Sequence, residues 1–286
     1  MTELQQAEFE MLKAAVTLCD RHEIPYFLVC GTALGAVKYG GFIPWDDDVD
    51  IGLFRPDYER FCDVAAKELP KPYFLQTYQT DPHYPNIFAK IRNSRTTYIE
   101  KATSGIDMNQ GVYIDIFPLD GYPADAGESA RLEKQKKRYK LQLFSAYEIS
   151  KTASLPVQLL FRLEKLIGVP KRTAAILQKY EALIASYPTD QADTICNHGN
   201  WQGTKEYASR AQYGAGADAM FEGLRVRVPE QYDEYLTQKY GDWRADLPKD
   251  QQVGHHYYEI CDLDRPYTDY YERLPGGGVR RITPTA

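Results

Sequence analysis

Four aspartates fall within five positions, Asp46, Asp47, Asp48 and Asp50, and run directly into the apolar stretch Ile51 to Phe54. Packed together without a counter-charge, these carboxylates would repel and raise one another's pKa values. A divalent cation removes that penalty, and hard oxygen ligands select Mg²⁺ or Mn²⁺. Val49 to Phe54 (VDIGLF) reads as a strand, on which residues two apart share a face. Asp48 and Asp50 therefore reach one ion or a close pair of ions together. Asp46 has the same parity but lies in the loop. A further carboxylate, Asp115, sits alone in the apolar run Ile114-Asp115-Ile116, where burial is costly unless it is ion-paired or metal-bound. If that strand neighbours the first, Asp115 completes a three-carboxylate site. Asp46 and Asp47 are ligands or supporting acids, and one of them could act as general base towards a hydroxyl.

Such a site suits phosphoryl or nucleotidyl chemistry, in which metal ions neutralise developing charge on phosphate oxygens. Gly31-Thr32 supplies a second element. A glycine at a strand end, before a helix, lets backbone N–H groups approach a phosphate. Tyr26 to Cys30 reads as the strand, Ala33 to Tyr39 as the helix and Thr32 as its N-cap. Lys90 and Arg92 share a face of a strand and could grip phosphate, or form a surface pair. Trp45 could stack on a base or sugar, or anchor its loop. Lys38 is a further substrate-binding candidate. His255 and His256 are adjacent, so in an extended segment they point opposite ways. His256 is the acid–base candidate and His255 the substrate contact.

The rest of the chain is α/β. An amphipathic helix covers residues 4–20, and a helix opened by Pro56 runs to about Leu69. Strands are expected at Tyr73–Tyr78, Asn86–Arg92, Thr96–Ile99 and Gly111–Phe117, the last ended by Pro118. Helices are expected over 128–150, 155–168 and 172–186, the first strongly basic. A hairpin is expected at 219–228 and a helix over 230–240. The 286 residues give a net charge of −6 with 43% hydrophobic and 26% charged residues, an ordinary globular composition. Disorder is excluded, and an acidic chain is a poor nucleic-acid binder. Of the 23 tyrosines most read as half-buried packing residues. No run reaches the length of a transmembrane helix, and MTELQQAEFE is no secretory signal. Five cysteines without a CxxC pair suit a reducing compartment, so the expected location is cytoplasmic. Cys196-Asn197-His198 with His255, His256 and Cys261 matches no standard zinc spacing.

The order Gly31-Thr32, Asp48-Val49-Asp50-Ile51, Ile114-Asp115-Ile116 resembles the nucleotidyltransferase superfamily typified by DNA polymerase β. The run from Gly31 to Tyr58 (GTALGAVKYGGFIPWDDDVDIGLFRPDY) looks more closely like the LicD family. AKIR at 89–92, VYIDIFPLDG at 112–121, Phe221-Glu222-Gly223, Val228-Pro229 and Tyr240 to Trp243 agree with it. The likeness covers roughly residues 20–122 and 219–256 and names nothing in the helical middle. It implies a nucleotidyltransferase-like mixed sheet flanked by helices. With the helical stretches and the glycine-rich end read above, the chain divides into a catalytic core over 1–124, a helical insertion over 125–188, a C-terminal part over 189–274 and a loose tail from 275.

It further implies a metal-dependent transferase moving a phospho-alcohol, such as phosphocholine, from a CDP-activated donor to a hydroxyl of a glycan or cell-surface polymer precursor. Fukutin-type ribitol-phosphate transferases are relatives. By position, Asp48, Asp50 and Asp115 would hold Mg²⁺ or Mn²⁺, and Gly31 and Thr32 would contact donor phosphates. The same carboxylates would serve nucleotidyl transfer, where a different phosphorus is attacked. An Asp-nucleophile phosphatase fits less well, because Gly52 stands where Thr or Val is expected. A non-catalytic relative would not need all three carboxylates. The basic helix could face an anionic glycan or a membrane surface, allowing peripheral membrane association.

Overall fold

The computed structural model describes residues 1–144, 173–199, 203–254, 257–273 and 279–282. Helix α1 (Glu3–Arg21) starts at a capping box between Thr2 and Gln5 and buries the stripe Met11, Leu12, Ala15, Val16 and Leu18. The core sheet follows from β1 (Phe27–Leu28), β2 (Asp50–Phe54), β3 (Tyr73–Gln76), β4 (Ala89–Asn93) and β6 (Val112–Tyr122), with β5 (Thr97–Glu100) outside it. Its order is β1-β2-β6-β4-β3. β2 and β6 are parallel and the other pairs antiparallel, so the sheet is mixed. Helices α2 (Cys30–Tyr39) and α3 (Arg55–Glu68) flank it, α3 carrying Pro56 in its first turn as the sequence implies. The α/β class read from the sequence holds.

Three local expectations change. The apolar run Tyr26 to Cys30 is strand only at Phe27 and Leu28, which pair with Gly52 and Ile51. The chain then turns at Cys30, φ +53°, and is helical from that residue. Thr32 is consequently inside α2, and the N-cap is Val29, which makes no side-chain cap bond. Nor does Pro118 end its strand. Asp115 N–H donates to Val49 O, so odd-numbered residues of β6 turn their N–H groups to β2. Pro118 faces the other edge, where β4 has already ended at Ala89 opposite Ile116. No ladder bond is lost there, so proline is tolerated.

Beyond β6, α4 (Ala126–Phe144) packs on α5 (Thr173–Ile184) through Leu132, Leu143, Leu177, Tyr180 and Ile184, which form a second small core with Ile87. The helix expected over 155–168, and the end of that over 128–150, lie outside the described residues. β7 (Thr194–Cys196) and β8 (Tyr207–Ser209) continue the sheet from the far end of β6. A short α6 (Arg210–Tyr213) leads to the hairpin β9 (Ala217–Phe221) and β10 (Leu224–Val228), then α7 (Tyr232–Tyr240). β11 (Tyr258–Asp262) pairs with β5, and β12 (Tyr271–Arg273) pairs with β13 (Val279–Arg281), which lies in the segment expected to be loose. No helix among the described residues is long and apolar enough to cross a membrane.

Candidate active site

The register of the sheet lines up one row of polar residues. Asp50 on β2 stands opposite Asp115 on β6, Asp115 opposite Lys90 on β4, and Lys90 opposite Gln76 on β3. Directly opposed residues share a face. The row is closed to water almost throughout: Asp50 is 6% exposed, Asp115 7% and Lys90 4%. Lys90 Nζ lies 2.9 Å from Asp115 Oδ1 and 3.2 Å from the centroid of the Tyr113 ring. Burial pushes the Asp50 carboxyl well above the usual carboxylate range, and Asp48, Asp115 and Asp46 push it further.

Asp50, Asp115 and Lys90 form the floor of a cavity of about 520 Å³. Asp46, Asp48, Glu100 and Asp242 line it with Lys38, and Tyr39, Trp45, Phe88, Tyr113 and Trp243 provide aromatic walls. Gly31, in the first turn of α2, also lines it. A Cβ there would stand 2.8 Å from Asp46 Oδ2, so the helix start and the acid loop touch because residue 31 has no side chain. The loop is held from below by α1, where Gln5 Nε2 donates to Asp46 O at 3.0 Å. One turn on, Glu8 is 2% exposed. Burial raises its pKa well above the usual range, with Asp48, Asp47, Asp46 and Asp115 adding to the effect. Trp45 meets Tyr39 edge-on, ring centroids 6.4 Å apart.

The comparisons with known proteins now bear on this geometry. The family model for the LicD/FKTN/FKRP nucleotidyltransferase domain matches residues 23–171. Over 255 residues the chain is 32% identical to the lipopolysaccharide cholinephosphotransferase LicD of Haemophilus influenzae, covering 86% of this chain and 92% of that protein. The chain belongs to the LicD family. It is thus a LicD-type phosphotransferase. A shorter match, 35% over 63 residues, joins 22% of this chain to 14% of the mouse ribitol-5-phosphate transferase FKTN. The family match runs through residue 171, beyond residue 122 where the first block of the motif likeness ends.

Several candidates of this LicD-family chain do not meet in the cavity. Thr32 is 2% exposed, and its Oγ1 accepts a hydrogen bond from Asp50 N–H at 2.8 Å. It anchors the strand that carries Asp50 and turns no hydroxyl towards the cavity lining. Arg92 has no exposed surface; it donates to Gln76 Oε1 and Gly111 O, both at 2.7 Å, and lies 4.5 Å from the Tyr113 ring centroid. Its charge is spent inside the fold. Asp47 is turned to Gly254, where a Cβ would come within 2.7 Å of its Oδ2, and Asp46 takes the cavity position instead. Lys38 lines the cavity but donates to Ala245 O at 2.8 Å and meets Asp246 at 3.0 Å, tying down the segment after α7. His255 and His256 lie outside the described residues.

Sequence reasoning missed Glu8, Glu100 and Tyr113. Tyr113 carried a signal, since it shares parity with Asp115 two positions away on the same strand. Glu100 and Glu8 carried none, because only packing brings them here. Tyr113 Oη donates to Glu100 Oε1 at 3.0 Å.

The carboxylate oxygens here are donors of the kind a hard divalent cation takes. Asp46, Asp48, Asp50 and Asp115 share one cavity with the Lys90 ammonium, and Asp50 cannot stay ionised cheaply without added positive charge. Among the described residues, no three His, Cys, Asp or Glu side chains stand close enough together to hold a metal ion as they are placed.

Proposed function

We propose that this chain transfers a phospho-alcohol, phosphocholine in the first instance, from a CDP-activated donor to a hydroxyl of lipopolysaccharide or a related cell-surface glycan. The observation that carries the proposal is the placement of Asp50 and Asp115 side by side on parallel neighbouring strands, with Lys90 beside them, at the floor of a cavity of ligand size. The named activity of the Haemophilus relative supports the choice of phosphocholine and lipopolysaccharide.

Within this proposal Asp48, Asp50 and Asp115 hold Mg²⁺ or Mn²⁺, which would neutralise charge on the donor phosphates. Asp48 must draw in towards the Asp50–Asp115 pair for this. Lys90 pairs with Asp115 and orients it, and its ammonium is a second positive charge for a phosphate oxygen. The Thr32 bond to Asp50 N–H fixes the position of the ligand strand. The aromatic walls at Tyr39, Trp45 and Trp243 suit a base or the quaternary ammonium of choline. Asp46, facing the cavity, is the carboxylate placed to accept the proton of the acceptor hydroxyl.

The test is incubation with Mg²⁺ and a panel of CDP-alcohols, scored for CMP release, with Asp50→Asn alongside. CMP release from CDP-choline that disappears in the variant is the expected result. Pyrophosphate release from a free nucleoside triphosphate would replace the proposal with nucleotidyl transfer. Activity that persists after chelation of divalent ions would remove the metal from it.

A further inference from the structure

In a chain of net charge −6, the described length of α4, Ala126–Phe144, carries six lysines and arginines against two glutamates. The arrangement on the helix is as informative as the count. Leu132, Lys136 and Leu143 are buried against the small core with α5. Glu133 is half-exposed at the edge of that face, meeting Lys136 Nζ at 2.7 Å and accepting from Tyr207 Oη at 3.0 Å. The opposite face exposes Arg131, Lys134, Lys137 and Arg138. Arg131, Lys134 and Arg138, with Leu141, follow the spacing of a single stripe (i, i+3, i+7, i+10), and Leu141 is 43% exposed. No ion pair among the described residues neutralises these four cations. Some exposed arginines elsewhere are paired: Arg225 and Arg227 with Asp218, Arg244 with Asp233, Arg280 with Glu272.

We infer that this face of α4 docks the protein on an anionic bilayer surface, through phosphorylated lipid headgroups. Charge complementarity selects the partner. A juxtamembrane cation contributes about 1 kcal/mol at an anionic surface, and four on one face act together. Repulsion of the acidic remainder then orients the molecule, because α4 is the face that an anionic surface attracts. The exposed Leu141 adds a small apolar contact at the same place.

The placement also has a use. Lys140 and Leu143, on the inner side of α4, line a cleft of about 20 Å³ with Asn86, Phe88 and Gly199. Those last three residues also line the main cavity. The basic helix therefore stands one side-chain layer behind the cavity wall, and docking holds the cavity close to the lipid surface. That use rests on the acceptor proposed above; the docking does not, and its test reads binding alone.

The test is flotation of the full chain with vesicles of phosphatidylcholine alone, or containing about one-third phosphatidylglycerol, at low and high salt. Binding to the anionic vesicles only, lost at high salt, is expected. Lys134→Glu with Arg138→Glu should weaken partitioning at least about tenfold while the melting temperature stays at the wild-type value. Lys134→Gln with Arg138→Gln should weaken it less. Arg225→Glu, an exposed charge reversal in β10, should leave binding unchanged. The inference is overturned if the wild type ignores anionic vesicles, or if the α4 variant binds as well as the wild type. Equal loss in Arg225→Glu would overturn the assignment to α4. Capture by a soluble phosphorylated oligosaccharide without vesicle binding would also overturn it. CMP release plays no part in these readouts, so a failed donor assay leaves them interpretable.

Discussion

β6 carries two buried aspartates, Asp115 and Asp120, on opposite faces of one strand. Asp120 has no exposed surface and is gripped by the Arg55 fork, Nε to Oδ1 at 2.7 Å and Nη2 to Oδ2 at 2.8 Å. The third arm of Arg55 reaches Glu181 at 2.8 Å and so ties α3 to α5. Asp115 has one point-charge partner, Lys90, and shares its face with Asp50, Asp48 and Asp46 around a cavity. The first site is geometrically complete and leaves no room for a ligand. The second has more negative charge than its partners satisfy, and space beside it. A buried aspartate is thus marked as functional by what surrounds it, an excess of like charge next to a void, and not by burial alone.

Breaking the complete side should give the largest effect. Arg55→Met leaves Asp120 buried without its cation and should cost about 3–5 kcal/mol of stability, read by denaturant unfolding. The surviving folded fraction should keep its activity per molecule; a specific loss of activity at full stability would erase the distinction between the two aspartates. On the open side the balance reverses. Asp50→Asn should lower the transfer rate by about 10²–10³-fold while stability holds or rises, because one repelling buried carboxylate has gone. If Asp50→Asn unfolds the protein as Arg55→Met does, the open side is structural too.

Thr32→Val sharpens the comparison at the anchor of β2. It leaves the buried Asp50 N–H without an acceptor, at about 1–3 kcal/mol, and should slow transfer by misplacing the carboxylate. Thr32→Ser, which keeps the hydroxyl, should restore both; failure of that rescue would mean the methyl group matters instead.

The smallest effect concerns pH on the complete side. His198 is buried near Arg55, and its Nδ1 lies 3.4 Å from Cys196 Sγ. Burial first, then Lys136, Lys140 and Arg55, hold its pKa well below 6.5. The unfolded chain then takes up a proton that the folded one refuses, so stability falls as pH drops below 6.5 towards the folded pKa. The slope is at most about 1.4 kcal/mol per pH unit. His198→Gln should flatten that part of the profile, measured as melting temperature against pH relative to wild type; an unchanged slope would place the acid loss elsewhere.

Much of this was legible in the chain itself. The apolar runs around Asp50 and Asp115 are short, continuous and rich in β-branched residues, which suits strands buried on both faces. The stretch at the N-terminus is a helix because its apolar residues recur at helical spacing. Lys90 and Arg92 do share a face, yet their fates diverge. Lys90 stands opposite Asp115 and opens to the cavity, whereas Arg92 stands opposite Tyr113, whose ring covers it. Parity gives the face but not the partner across the sheet. Thr32 looks like a helix cap because its spacing is right, but the chain becomes helical two residues earlier and frees its hydroxyl for Asp50.

By itself, the sequence determined which residues needed a counter-charge and which side of each strand they would occupy, since both follow from local chemistry and a two-residue period. Only the tertiary structure decided that Asp50, Asp115 and Lys90 fall in one row, that Glu8 and Glu100 arrive from distant helix and strand, and that Asp120 is closed off by an arginine. Those outcomes depend on strand order and register. They are set by how the whole core packs, because no short stretch of chain encodes the neighbour it will meet.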